Sequence, residues 1–252
     1  MRLPLYLVDA FASGPFTGNP AAVVPLTEPL EDDLMQRIAM EMNQAETAFV
    51  LPDLTLRWFT PTVEVDLCGH ATLATAHVLW ERGASDTLRF STRSGILTAE
   101  RSDGAIILDF PAEPPAAAPL PHDLPFLGKT LWTGRNRMDW FVQLDDEAVW
   151  HLRPDMPGIA ALGMRGLIVT STSKGSDFVS RCFFPQSGVD EDPVTGSAHC
   201  ALAPFWAERL GQSRLRGFQA SRRGGSVGVE VIGDRVRLWG QAITTVEGEL
   251  CL

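Results

Sequence analysis

A short motif that occurs twice constrains this chain more than any other feature. Glu64-Val65-Asp66-Leu67-Cys68-Gly69-His70-Ala71-Thr72 has a counterpart half a chain later in Glu191-Asp192-Pro193-Val194-Thr195-Gly196-Ser197-Ala198-His199. Each copy places a polar cluster and a glycine directly before an Ala-rich run, 71–82 and 198–209. Setting Gly69 against Gly196 also matches Ala71 with Ala198, Ala74 with Ala201, Ala76 with Ala203, Glu81 with Glu208 and Arg82 with Arg209. A later alignment of Gly95 with Gly225 pairs Arg93 with Arg223, Leu97 with Val227, Ala99 with Val229, Ile106 with Val236 and Leu108 with Leu238. The chain therefore reads as two versions of one unit, whose polar clusters are expected to face each other as walls of one site.

The Ala-rich runs are expected to be helices, since alanine is the best helix former and the preceding glycine lets the backbone bend closely. Thr72 and Ser197 are positioned to accept from free N–H groups at the two helix starts. Ala71, Leu73, Ala74, Ala76, Val78 and Leu79 leave the first run apolar nearly all round, so it must be enclosed rather than laid on a surface. Segments 5–11, 21–25, 45–51, 54–60, 88–92, 95–101 and 105–110 read as strands, and 30–42 as an amphipathic helix. In the second half, 140–144, 166–171 and 178–184 read as strands and 154–162 as a short helical segment. An α+β fold follows, with each unit an antiparallel barrel-like sheet around a central Ala-rich helix.

The stretch 111–125 carries six prolines and three consecutive alanines. The expected boundaries are an N-terminal domain over 1–112, a linker over 113–126 and a C-terminal domain over 127–252, whose last strands have the option of packing back on the first domain. A net charge of −10 argues against nucleic acid or an anionic membrane as partner. The apolar start meets Asp9 too early for a signal-peptide core, and no run approaches membrane-spanning length, so a cytoplasmic protein is expected. Cys68, Cys182, Cys200 and Cys251 form no CxxC and have no histidine at metal-ligand spacing; free thiols and no metal are expected.

Differences between the halves point to chemistry. Glu46 interrupts the strand 45–51, while the matching Gly166-Leu167-Ile168-Val169 has no carboxylate. An acid at the mouth of a buried strand suits general acid/base work; an exposed strand-start glutamate is the plainer reading. His70 lies at the first helix start, where neighbouring positive partial charge favours neutral imidazole. Asp192 precedes Pro193 and is placed to hold a polar substrate group or to cap the helix. Cys68 and Thr195 take corresponding positions one residue before the paired glycines. Helix starts of this kind collect unpaired N–H donors and suit a carboxylate or an enolate-like anion.

Five segments in register carry a family resemblance: Phe16-Thr17-Gly18-Asn19-Pro20-Ala21-Ala22-Val23, Gln44-Ala45-Glu46-Thr47-Ala48-Phe49, Phe59-Thr60-Pro61, Cys68-Gly69-His70-Ala71-Thr72 and Glu191-Asp192-Pro193-Val194-Thr195-Gly196-Ser197-Ala198. Together they resemble the phenazine-biosynthesis PhzF family of isomerases over essentially the whole chain. The resemblance implies a diaminopimelate epimerase-like fold, a homodimer and a proton shift without a cofactor. It implies catalytic roles for Glu46, His70 and Asp192, with Asn19, Cys68, Gly69, Thr195, Gly196 and Ser197 binding a small, anionic substrate. A Cys68-dependent epimerase or dehydratase and a non-catalytic small-molecule-binding protein remain open alternatives.

Overall fold

In a computed structural model the described residues are 1–145 and 148–252. They divide into two compact units, one made of Met1–Phe110 with Trp239–Leu252 and the other of Pro111–Leu238.

The first unit contains β1 (Arg2–Ala10), β2 (Asn19–Pro25), α1 (Asp32–Met42), β3 (Glu46–Val50), β4 (Leu56–Phe59), β5 (Glu64–Val65), α2 (Gly69–Glu81), β6 (Thr87–Thr92), β7 (Gly95–Ser102) and β8 (Ala105–Pro111). The second contains β9 (Ala116–Ala117), β10 (Thr130–Arg135), β11 (Asp139–Leu144), α3 (Ala148–His151), α4 (Met156–Ala160), β12 (Gly166–Thr172), β13 (Phe178–Phe183), α5 (Gly196–Leu210), β14 (Arg214–Gln219), β15 (Gly225–Ile232) and β16 (Arg235–Gly240). The last strand, β17 (Ala242–Cys251), closes the chain.

In the first unit the strand order is β17-β1-β2-β3-β4-β5, and β6, β7 and β8 pair antiparallel in succession as part of a different sheet. Strand β17 runs antiparallel to β1 from Arg2↔Cys251 to Ala10↔Ala242. That pairing takes the last residues out of the 127–252 domain and assigns them to the first unit, the option left open by the sequence. In the second unit the order is β16-β15-β14-β13-β12-β11-β10-β9.

The antiparallel expectation holds for most pairings, but β2/β3, β11/β12 and β13/β14 are parallel. Each parallel pair is joined through helix, α1 in the first case, α3 and α4 in the second and α5 in the third, as a crossover requires.

Each unit encloses one Ala-rich helix. Helix α2 packs against β1, β2, β3, β7 and β17, and residues 70–76 are all buried. Helix α5 packs against β14 and β15 and buries Ala198, Ala201, Leu202, Ala203, Phe205 and Trp206. Removing that apolar surface from water, at about 25 cal/mol per Å2, drives the enclosure that the all-round apolar pattern demanded.

The Pro/Ala-rich stretch is not a free linker. Ala116 and Ala117 pair with Arg135 and Gly134, and Leu124 and Leu127 are buried beside Trp140, Val142 and Ile159. Its prolines suit an edge because a proline offers no N–H to a ladder.

Candidate active site

In the first unit the site residues gather around the start of α2. Parallel pairing of β2 with β3 sets Ala21 opposite Glu46, so Glu46 begins its strand close to Asn19. The loop before Asn19 is held by Asp9, a buried carboxylate that accepts from the Phe16 backbone N–H at 2.7 Å. Gly18 closes that loop with φ of +70°, and a Cβ there would lie 2.2 Å from the Ala10 carbonyl oxygen. Glycine is needed at this turn for both reasons.

Cys68 is the N-cap of α2 in extended conformation, and its carbonyl accepts from Thr72 Oγ1 at 2.6 Å. Thr72 thus donates to a carbonyl four residues back rather than accepting from the helix start, contrary to the capping role expected of it. His70 stands in the first turn and is flanked on both sides. Its Nε2 lies 3.2 Å from Glu46 Oε2, and its Nδ1 lies 3.4 Å from Asn19 Nδ2 and 3.5 Å from Cys68 Sγ. The imidazole is almost wholly buried, whereas the Glu46 side chain keeps 20% of its surface open. Burial lowers the His70 pKa to about 4, so the ring is neutral near pH 7 and has both a donor and an acceptor nitrogen.

Ligand atoms of Glu46, Cys68 and His70 all lie within 4.8 Å of one another, a donor set of the kind that holds a metal. The structure brings Cys68 and His70 into contact, a proximity that their sequence spacing does not mark. Cys68 and His70 are two residues apart, and the third donor comes from a different strand.

The second cluster is built inside its own unit. Asp192 is fixed by its backbone N–H, which donates to the Cys182 carbonyl at 3.0 Å. Its carboxylate accepts from Thr195 Oγ1. Glu191, the residue before it, is clamped by Arg181 at 2.7 and 3.0 Å. Gln219, fully buried at the end of β14, donates to the Asp192 carbonyl at 2.7 Å and accepts from the Thr195 N–H at 2.9 Å. Ser197 accepts from Arg165 Nη1 at 3.1 Å, and Arg165 in turn makes a two-pronged pair with the buried Asp139. Burial pushes the Asp139 carboxyl up against the pull of Arg165. Burial also pulls the Arg165 pKa down, but the hydrogen bonds that Arg165 donates to Asp139, together with the negative charges around it, raise it overall, so it stays cationic.

Asp192, Thr195, Gly196 and Ser197 are thus together at the start of α5, and Asn19, Glu46, Cys68, Gly69 and His70 are together at the start of α2. Gln219, Arg165 and Asp139 were not singled out from sequence. Gln219 ends an alternating strand and Arg165 precedes a buried one; neither position marks a polar anchor.

The model of the family described as phenazine biosynthesis-like protein, PhzC-PhzF, matches residues 8–248. The chain belongs to the PhzC-PhzF family. A PhzF family protein of Enterococcus faecalis has a crystal structure that superposes with a TM-score of 0.95 at 44% identity, covering 100% of both chains. An uncharacterized isomerase of Halalkalibacterium halodurans is 49% identical over 264 residues and covers 100% of both chains. At the level of fold alone, a hydroxyproline epimerase of Agrobacterium vitis gives a TM-score of 0.63 at 12% identity, covering 100% of this chain and 93% of that one. This PhzC-PhzF protein therefore has the α+β fold shared with epimerases and is an isomerase. Among the described residues, no helix is long and apolar enough to cross a membrane.

Proposed function

We propose that the protein moves a proton between carbons of a small carboxylate-bearing substrate, without a cofactor, using Glu46 as the acid/base. The observation that carries this reading is the contact of Glu46 Oε2 with Nε2 of a neutral, buried His70, 3.2 Å away at a helix start. A carboxylate that lies beside a neutral imidazole and keeps 20% of its surface open can meet a substrate C–H.

The reaction balances with one residue. Glu46 takes the proton from an activated C–H, leaving a delocalised anion. The N–H groups of the first turn of α2, with their positive partial charge, favour that anion. His70 donates or accepts through Nε2 as the charge moves; the protonated Glu46, partly open to solvent, exchanges its proton with water and then delivers one to another carbon. Preorganised donors of this kind contribute about 3 to 4 kcal/mol each where charge develops. Asp192, Thr195, Gly196 and Ser197 are assigned to the substrate's polar groups. A cytoplasmic location is the one carried by the sequence reading, and a homodimer is the assembly carried by the family resemblance.

A second reading rests on Cys68 Sγ, 3.5 Å from His70 Nδ1, which would make the thiol the base of an epimerase or dehydratase. Thr195, at the corresponding place in the other unit, has its hydroxyl committed to Asp192 and is a poor base. That disfavours a two-thiol mechanism.

Solvent-deuterium incorporation, followed by mass spectrometry across cyclic amino and hydroxy acids, tests the assignment. Uptake of one deuterium that disappears in Glu46→Gln supports it. Exchange that survives Glu46→Gln and vanishes in Cys68→Ala transfers the chemistry to the thiol. Binding of a panel compound without exchange, unchanged in Glu46→Gln, favours a binding protein.

A further inference from the structure

We propose that Glu46, Cys68 and His70 form a binding site for a soft divalent cation, Zn2+ first among them, whose occupancy switches the proton-transfer site off. Three observations carry it. The donor atoms come from two segments, the start of β3 and the N-cap and first turn of α2, and they already lie within 4.8 Å of one another. Their chemistry is a thiol, an imidazole and a carboxylate, the mixed N, S and O set that Zn2+ takes in four-coordinate sites with one position left for water. The segments that present them are held by other interactions: the Cys68 carbonyl accepts from Thr72 Oγ1, and Glu46 lies in a paired strand. The backbone segments are therefore in place before a cation arrives, and the side chains adjust around it.

The dimensions are close to what a metal needs. Zinc bonds of about 2.0 Å to nitrogen or oxygen and about 2.3 Å to sulfur put neighbouring ligand atoms about 3.5 Å apart. The existing separations of 3.2 Å from Glu46 Oε2 to His70 Nε2 and 3.5 Å from Cys68 Sγ to His70 Nδ1 are already in that range. These contacts use opposite sides of the ring. A single cation therefore takes one ring nitrogen, and the donor on the other side of the ring, which lies within 4.8 Å, turns toward it. The binding step exchanges the Cys68 S–H bond for an S–Zn bond, and the thiol proton leaves to solvent.

The regulatory consequence rests on the function proposed above, because the cation occupies the Glu46 oxygen and a His70 nitrogen assigned to proton transfer. The binding claim does not depend on it, and the two fail in different experiments. Cations such as Ca2+ and Mg2+ prefer all-oxygen sets and are not expected to bind here.

The test uses the full-length chain without a metal-binding tag, stripped with chelator and titrated with Co2+ as a spectroscopic probe. Expected are one Co2+ per chain with a thiolate-to-cobalt charge-transfer band and displacement of that band by Zn2+. Cys68→Ser should lose the band and weaken Zn2+ binding at least tenfold, and His70→Gln should weaken binding similarly. Cys251→Ser removes the one exposed thiol and should leave the band intact. No thiolate band, a band that persists in Cys68→Ser, or one that is lost in Cys251→Ser overturns the proposal. Circular dichroism of each variant separates loss of ligand from loss of fold. With a substrate in hand, stoichiometric Zn2+ should abolish deuterium exchange and chelator should restore it.

Discussion

Gln219 holds Thr195 from two sides: its Oε1 accepts from the Thr195 backbone N–H at 2.9 Å, and its Nε2 donates to Thr195 Oγ1 at 3.2 Å. The same Nε2 donates to the Asp192 carbonyl, so one buried amide ties Asp192 to Thr195. Gln219→Leu keeps a similar volume and strands those groups. Each buried group left without a partner costs about 1 to 3 kcal/mol, and a total loss of about 3 kcal/mol is expected. Urea unfolding with an unchanged m-value measures it. A loss below about 0.5 kcal/mol would mean the clamp contributes little.

Gly18 tests the other cluster. Gly18→Ala forces a Cβ to 2.2 Å from a backbone oxygen and keeps a positive φ. Overpacking of about 1 to 3 kcal/mol adds to left-handed strain of about 1 kcal/mol. Gly14, in the same loop, has nothing within 4 Å of such a Cβ. Thermal melts should show a large drop for Gly18→Ala and almost none for Gly14→Ala, and equal drops would refute the packing argument.

Acid should destabilise the protein through two histidines. Burial lowers the pKa values of both His70 and His199 to about 4, while the unfolded chain protonates histidine near 6.5. Between these values the unfolded state binds more protons, so stability is full above about pH 6.5 and falls as pH drops towards 4. Each site accounts for about 3 kcal/mol across that window. His199→Gln should flatten the pH dependence of the unfolding free energy by roughly that amount, and an unaltered slope would exclude His199 as a contributor.

Arg165 is expected to matter through what it leaves behind. Arg165→Leu strands the buried Asp139 carboxylate and should cost about 3 to 5 kcal/mol. Adding Asp139→Asn should recover part of that loss, since the stranded charge is then gone. Denaturant unfolding of the two single variants and the double variant gives the coupling, and strict additivity would argue against a functioning ion pair.

How much of this was legible beforehand follows from distance along the chain. The enclosed helices could be read because alanine propensity and all-round apolarity act locally, and Glu46 stood out because a charge interrupts an apolar strand. Parallel pairing of β2 with β3 was not legible, since an apolar strand shows its alternation but not the direction of its neighbour. Proline content marks 113–126 as a linker but does not reveal a packing partner; within it, Leu124 is buried in one cluster with Trp140.

The sequence by itself determined that the chain is a doubled unit with a polar helix start in each half, because duplication and helix propensity are written residue by residue. Only the tertiary structure decided which donors meet. Asn19 is 51 residues from His70 and Gln219 is 24 from Thr195, yet both pairs are in hydrogen-bonding contact. Strand register and helix placement, driven by burial of the apolar faces around α2 and α5, bring them together.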